Sequence, residues 1–232
     1  MSLRSYLQLA RAPNVFTAVT NVFTGCAATA WPPAGPFDVG LLALGSACLY
    51  TGGVVLNDCC DIETDRRERP HRPLPSGAVS PRVALGMAIG LLAAGIALAL
   101  VVNVAAALTA SAIAVLIATY DTHFKSVPAL GPLNMAACRF GNVLLGACAA
   151  PPGCVRALPF AAAMAAWVAI ISVVSRREAE QPQRQAIVKA MVLAIPLIDG
   201  LFVGALTTPA LGLAVAAFAL PAWLIARWLY VT

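Results

Sequence analysis

Long apolar runs, separated by short polar connections, are the dominant pattern along this chain. They are Val15–Trp31, Val39–Leu56, Val83–Val102, Val104–Tyr120, Leu133–Ala150, Leu158–Val174, Ile187–Leu206 and Leu211–Leu229. Each is long enough to cross ~30 Å of hydrocarbon as a helix, and most are bounded by Pro, Gly or charge. No Ser/Gly-rich or Pro-rich linker interrupts them, and no connection is long enough to fold by itself. The pattern predicts an all-α fold, a polytopic transmembrane bundle of about eight helices in a single domain over residues 1–232. A weak internal echo divides it. Pro13-Asn14 before the first run returns as Pro132 and Asn134 before the fifth, and the polar cluster after the second run, beginning at Asn57, has a counterpart beginning at Ser175 after the sixth. Two four-helix pseudo-repeats are therefore expected, over residues 1–122 and 123–232.

Composition agrees with the membrane assignment. The 232 residues are 60% hydrophobic and only 11% charged, with a mean hydropathy of +0.84, too little polar surface to cover a soluble globule. Met1–Arg11 runs basic and polar residues straight into a full-length span without a small-residue cleavage pattern, so the first helix is expected to be retained. The Lys and Arg residues set the orientation. Arg4, Arg11, Arg66, Arg67, Arg69, Arg72, Arg82, Lys125, Arg139, Arg176, Arg177, Arg184, Lys189 and Arg227 all fall on one side, and Arg156 on the other. The expected location is a cytoplasmic membrane, the inner membrane of a bacterium, with both termini cytoplasmic. The net charge of +5 is divided among loops rather than gathered on a soluble face with aromatic platforms, which argues against nucleic acid. The cysteines lie mostly inside spans without zinc-type pairing and read as small packing residues. His71 and His123 are loop residues without metal-ligand spacing.

The chemistry concentrates where the second span ends, in Asn57-Asp58-Cys59-Cys60-Asp61-Ile62-Glu63-Thr64-Asp65. If the helix continues through this run at about 100° per residue, Asp58, Asp61 and Asp65 share roughly a 60° arc while Glu63 points away. Carboxylates crowded on one face repel unless a positive charge lies between them. Mg²⁺ suits them, because it favours oxygen ligands, keeps several waters and completes its shell with phosphate oxygens. Arg66, Arg67, Arg69 and Arg72 follow directly, in a stretch whose prolines and Gly77 predict an ordered loop. Guanidinium groups bind phosphate bidentately. The combination points to Mg²⁺ and a diphosphate at a membrane face.

This run resembles the first aspartate-rich motif of the UbiA superfamily of intramembrane prenyltransferases, NDxxDxxxD followed by an RPxxxG-like stretch. Asn57, Asp58, Asp61 and Asp65 match it, as do Arg72, Pro73 and Gly77. Tyr120-Asp121-Thr122-His123-Phe124-Lys125 is similar to the family's Tyr-containing segment with a following Lys, and Arg11-Ala12-Pro13-Asn14 to its entry into the first helix. The resemblance implies a helical bundle, usually of nine spans, around a central cavity, and transfer of an isoprenyl group from an isoprenyl diphosphate to an acceptor in the membrane, with Mg²⁺ as cofactor. On that basis Asn57, Asp58, Asp61 and Asp65 are expected to bind the metal. Arg72, Lys125 and Arg139 are expected to bind phosphate, and Tyr120 to stabilise an allylic cation through its ring face or to place the acceptor.

The chain departs from the family where a second, DxxxD-type motif should close the sixth span. Ser175-Arg176-Arg177-Glu178-Ala179-Glu180 stands there. Glu178 and Glu180 can each reach a cation but are about 200° apart on a helix and do not chelate as a pair unless the helix has ended, so Ser175, Arg176 and Arg177 are expected to bind phosphate directly. This replacement, together with Asn134, Arg139 and Asn142, resembles a divergent branch of the superfamily found with Ebo-type gene clusters and linked to metabolite export. The alternative function is thus a non-catalytic prenyl-lipid-binding protein or an accessory component of export. Asn14, Thr17 and Asn21 on the first span, and Asn134, Cys138 and Asn142 on the fifth, form polar stripes that bond between helices or face a ligand. Asp199, midway along the seventh span, has three open roles: neutral, paired to Arg139, or in contact with the acceptor. Arg139 is expected near the cytoplasmic end of its span.

Overall fold

The computed structural model describes residues 3–33, 35–175 and 182–228, and every regular element among them is helical. A short α1 (Leu3–Leu9) leads into α2 (Ala12–Thr29), followed by α3 (Pro36–Cys60), α4 (Ile62–Glu68), α5 (Pro81–Val102), α6 (Val104–Thr119) and α7 (Leu130–Ala147). The second half continues with α8 (Cys154–Ser175), α9 (Pro182–Leu193), α10 (Ile195–Leu206), α11 (Pro209–Ala216) and α12 (Ala219–Ile225). The first six apolar runs correspond to α2, α3, α5, α6, α7 and α8. The last two are each interrupted. Ile187–Leu206 loses regular helix only at Ala194, just ahead of Pro196, whose ring has no N–H to give and crowds the carbonyl four residues back, and it continues as one span, with Ala194 N–H on Ala190 O and Ile198 N–H on Ala194 O. Leu211–Leu229 divides at Ala217 and Phe218, ahead of Pro221.

Five helical segments are long and apolar enough to cross a membrane: Pro36–Cys60, Pro81–Val102, Val104–Phe124, Cys154–Ser175 and Gln183–Leu206. Two further helices of 18 residues, α2 and α7, carry Asn, Thr and Arg side chains along their length. These two pack against each other in the interior, with α3, α8 and α10 also against α2. The most polar long helices therefore occupy the place where protein, not lipid, surrounds them, as unsatisfied polar groups in hydrocarbon require. The outer helices α5, α6 and α8 instead turn Ile89, Leu100, Leu108, Val115, Ile170 and Val173 outward, the side chains a lipid environment accepts.

Backbone contact sets the α2–α7 crossing. A Cβ on Gly25 would lie 1.9 Å from the Val143 carbonyl oxygen, and one on Gly146 would lie 2.1 Å from that of Val22. The crossing is reciprocal, since the same number of residues separates Val22 from Val143 as Gly25 from Gly146. Small residues at such positions let two helices meet at backbone distance.

At the end where α3 terminates, a local core of Leu9, Val55, Leu74, Val79, Ala84 and Ala88 fastens the loop between α4 and α5. Val79 N–H donates to the Pro73 carbonyl and Ser76 N–H to that of Arg72, both at 3.0 Å, and Gly77 makes the turn at φ 75°. The proline-rich stretch is thus ordered, as expected, and Leu74 and Val79 are the buried pegs that hold it.

Candidate functional site at the cavity mouth

α3 ends at Cys60, Asp61 takes a non-helical conformation at φ −91° and ψ 3°, and α4 restarts at Ile62. The i to i+4 bonding survives the join, from Asp61 N–H to Asn57 O at 3.0 Å and from Asp65 N–H to Asp61 O at 2.8 Å. The acidic run therefore keeps approximately its helical register, with a bend at Asp61. Glu63 points away, exposed, and pairs with Arg66.

The three aspartates are each held by a cation. Asp58 accepts from Arg11 Nη2 at 2.9 Å, and Arg72 Nη1 stands 3.6 Å from it. The same Arg72 nitrogen donates to Asp65 at 2.8 Å, and Arg69 lies 3.9 Å from Asp65. Lys125 donates to Asp61. Asn57 donates from Nδ2 to Asp121 at 2.8 Å. Acids and bases are interleaved at one end of the bundle, as their adjacency in sequence implied, but the partners come from four different segments. Arg72 ties Asp58 to Asp65, and with both carboxylates buried this pairing is what makes their charge tolerable there.

Arg11 was not among the site residues expected from the sequence. It caps α2 in the left-handed region, at φ 42° and ψ 52°, a conformation that costs a non-glycine residue about 1 kcal/mol or more and that aims its side chain back at α3. Burial works against its charge, but the Asp58 carboxylate and then Tyr50 outweigh that, and its pKa stands above the usual guanidinium value. The available signal was a basic residue directly before a Pro-initiated span on the same side as the acids. Asp121 was also missed, although it lies four residues before Lys125 at the end of a span.

A cavity of about 210 Å³ opens inward from this mouth, lined by α2, α3, α6 and α7. Arg11, Asn57, Tyr120, Asp121 and Lys125 line its outer part. Ser46, Tyr50, Cys138, Arg139 and Asn142 bring polar atoms deeper, among apolar Leu49, Val54, Ile113 and Ile117. A second recess of about 400 Å³ outside it is lined by Asp61, Asp65, Arg69, Asp121 and Lys125. Tyr120 stands in a single turn of π-helix, Tyr120–Phe124, which carries Asp121 and Lys125 to the boundary between the two spaces. Ser175 is the last residue of α8 and turns its hydroxyl back to the Ser172 carbonyl at 3.0 Å. Arg176, Arg177 and Glu178 lie outside the described residues.

Arg139 lies further in than expected. α7 begins at Leu130, so Arg139 falls midway along it, with its guanidinium over the Tyr50 ring at 5.4 Å. Tyr50 is two turns back from Asn57 along α3, about 10 Å at 1.5 Å per residue. Depth is possible because the charge has internal partners, Thr17 Oγ1 at 2.9 Å and Asn21 Oδ1 at 3.2 Å. Asn21 passes the connection on, donating to Asp199 at 2.8 Å, while Thr24 donates to the other Asp199 oxygen at 2.7 Å. Asp199 is thus linked to Arg139 through an amide rather than paired directly. The polar stripes divide in role. Asn142 bonds to Ser46 and to the Ala18 carbonyl, and Asn134 to Thr119.

The donor chemistry of the mouth fits a hard dication. Asn57, Asp58, Asp61, Asp65 and Asp121 are all oxygen donors, and His123, which also lines the outer recess, is bonded to the neighbouring Thr122 hydroxyl. No group of three carboxylate, thiol or imidazole side chains converges on one point among the described residues. Mg²⁺ does not need such a cage, since it commonly takes one or two carboxylates and fills its octahedron with water and phosphate oxygens.

Fold and site together define a polytopic helical membrane protein with an acid- and base-lined mouth over an internal cavity. The model of the UbiA prenyltransferase family matches residues 18–232, and the chain belongs to that family. It is similar to the digeranylgeranylglyceryl phosphate synthases of Methanopyrus kandleri, 33% identical over 148 residues covering 63% of this chain and 51% of that protein, and of Methanoculleus marisnigri, 33% identical over 167 residues covering 70% and 58%. The matches thus span little more than half the length of these curated relatives. Among solved structures, a UbiA homolog from Aeropyrum pernix aligns over 92% of this chain and 98% of its own, with a TM-score of 0.62 and 20% identity. A UbiA homolog from Archaeoglobus fulgidus bound to DMAPP and Mg²⁺ aligns over 96% and 87%, with a TM-score of 0.62 and 18% identity. At these identities the likeness establishes the fold.

Proposed function

We propose that this protein transfers an isoprenyl group from an isoprenyl diphosphate to an acceptor inside the membrane, in a Mg²⁺-dependent reaction at the mouth described above. The observation that carries the reading is the interleaving of Asp58, Asp61 and Asp65 with Arg11, Arg72 and Lys125 at the entrance of an internal cavity. These ion pairs are exchangeable by design of charge. A diphosphate can take the guanidinium and ammonium groups as its own partners, which frees the carboxylates. Asn57, Asp58, Asp61 and Asp65 would hold the metal, with Asp121 beside Asn57. Bound Mg²⁺ supplies positive charge that stabilises the departing diphosphate.

The residues of the chain do the rest. Arg72 and Lys125 bind and orient the diphosphate so that the allylic carbon points inward. The bond from that carbon to oxygen breaks with both electrons leaving on the diphosphate, an acceptor electron pair forms the new bond, and the proton the acceptor loses is released. Apolar Leu49, Val54, Ile113 and Ile117 keep water from the cationic intermediate, and Tyr120 lies at the entrance where its ring face can stabilise that cation. Since Lys and Arg residues gather at the mouth, we place that end and both termini on the cytoplasmic side.

The test is diphosphate release by purified protein from dimethylallyl, geranyl and longer allylic diphosphates with Mg²⁺. Asp61→Asn should lower release by about 100-fold or more. A second reading, a non-catalytic prenyl-lipid binder or export component, is favoured by Ser175, which turns its hydroxyl to its own helix rather than to the mouth. Donors that bind with no diphosphate released would establish that reading and overturn the transferase.

A further inference from the structure

At the end of the bundle opposite the mouth, α7 turns into α8 through residues 149–153, and a cysteine stands on each side of the turn. Cys148 caps α7 and Cys154 opens α8. Successive backbone bonds tighten the connection, from Ala149 N–H to Gly146 O at 3.2 Å, from Ala150 N–H to Ala147 O at 3.1 Å and from Gly153 N–H to Ala150 O at 2.9 Å. They bring the second cysteine back over the end of α7. There its thiol donates to the Ala147 carbonyl at 3.5 Å, and the Cys148 and Cys154 thiols interact directly. Cys59 and Cys60, by contrast, are neighbours on one helix and project about 100° apart.

Both positions are pinned. Asn103, which caps α6, donates to the Cys148 carbonyl at 2.8 Å, and a Cβ on Gly153 would lie 3.0 Å from Thr29 of α2. The bonds that the two sulfurs make are dispensable. The Thr109 hydroxyl, 3.5 Å from the Cys148 sulfur, also donates to the Ala105 carbonyl at 2.9 Å, and the Ala147 carbonyl keeps its bond from Ala150 N–H. Joining the sulfurs therefore strands neither the hydroxyl nor the carbonyl without a partner.

We propose that Cys148 and Cys154 are an oxidation site and close to a disulfide that staples α8 to α7. The distribution of Lys and Arg puts this end on the extracytoplasmic side, where thiols meet oxidants; that location rests on the orientation proposed above, and the pairing does not. Accessibility assigns the steps, since Cys154 is half-buried and Cys148 buried. Cys154 loses its proton to solvent and attacks an external disulfide, of a small molecule or a protein, releasing one external thiol. Cys148 then attacks the Cys154 sulfur of the mixed disulfide and releases the second. Two thiols of the chain are oxidised, and one external disulfide is reduced to two thiols. The bond forms beside Gly146, where α7 meets α2 at backbone distance, and so reinforces that crossing from its far end.

Trypsin cuts after Arg139 and Arg156 and releases residues 140–156, which hold these two cysteines and no other. Membranes from a bacterium with an oxidising periplasm, dissolved in SDS with excess iodoacetamide and digested, should give this fragment unalkylated and two hydrogens lighter than its reduced form. Cys60, exposed at the mouth, should be alkylated in the same sample. Reducing the purified protein should lower its melting temperature by roughly 5 °C, the worth of closing so short a loop, and oxidised glutathione should restore it. The variant with both Cys148→Ala and Cys154→Ala should melt at one temperature with or without reductant; should it not fold, the wild-type fragment and its melting decide alone. Two alkyl groups on the fragment from membranes would overturn the proposal. Oxidised glutathione then separates the causes: closure in the purified protein would mean that this end faces a reducing compartment and that the orientation is wrong, and no closure that the thiols do not meet. A disulfide whose reduction leaves the melting temperature unchanged would refute the staple.

Discussion

Gly25→Ala adds one methyl group where the bundle has no room for it. The new Cβ would fall 1.9 Å from the Val143 carbonyl oxygen and 2.8 Å from the Ala147 nitrogen, both backbone atoms and both inside the 3.0 Å that such carbons keep. Neither can rotate aside, so α2 and α7 must separate by about 1 Å along their crossing. Overpacking of this kind costs about 1 to 3 kcal/mol, and the upper end applies because the obstruction is backbone. For a chain of this size the melting temperature should fall by roughly 6 to 12 °C, measured by thermal unfolding in detergent. Function should follow, because Arg139 on α7 reaches Thr17 and Asn21 on α2 across the same crossing, and 1 Å is enough to break bonds of 2.9 and 3.2 Å. Gly90→Ala is the control. It has nothing within 4 Å, and helix propensity makes it neutral to slightly stabilising. Equal melting of the two variants would mean that the helices do not meet at backbone distance and that the packing described for α2 and α7 is wrong.

Other variants probe the mouth. Arg72→Gln leaves Asp58 and Asp65 without the cation they share, and should weaken binding of an allylic diphosphate, measured by titration, about tenfold or more. Leu74→Ala, at a site 3% exposed, should cost about 2 to 3 kcal/mol and also weaken donor binding, because the same loop presents Arg72; unchanged binding would separate the loop's anchoring from its function.

Much of the site was legible in the residues themselves. The spacing of Asp58, Asp61 and Asp65 is a local property of helical periodicity, and the i to i+4 bonding preserves it even through the bend at Asp61. The ordered loop after Arg69 was legible for the same reason, since proline and Gly77 restrict the backbone whatever surrounds them. Arg139 was misplaced in depth because its burial depends on Thr17 and Asn21, 122 and 118 residues away. Asp199 has three open roles in the sequence because its partners Asn21 and Thr24 stand on another helix, 178 and 175 residues distant.

Alone, the amino-acid sequence determined the helical class, the apolar lengths and the join of acid to base, since hydrophobic length, periodicity and charge act over a few residues. The tertiary structure decided which cation holds which aspartate, that Arg11 belongs to the site, and that Arg139 and Asp199 balance across an amide. These depend on the rotation and depth of one helix against another. Reciprocal backbone contact at Gly25 and Gly146 fixes that geometry, and no spacing within a single helix encodes it.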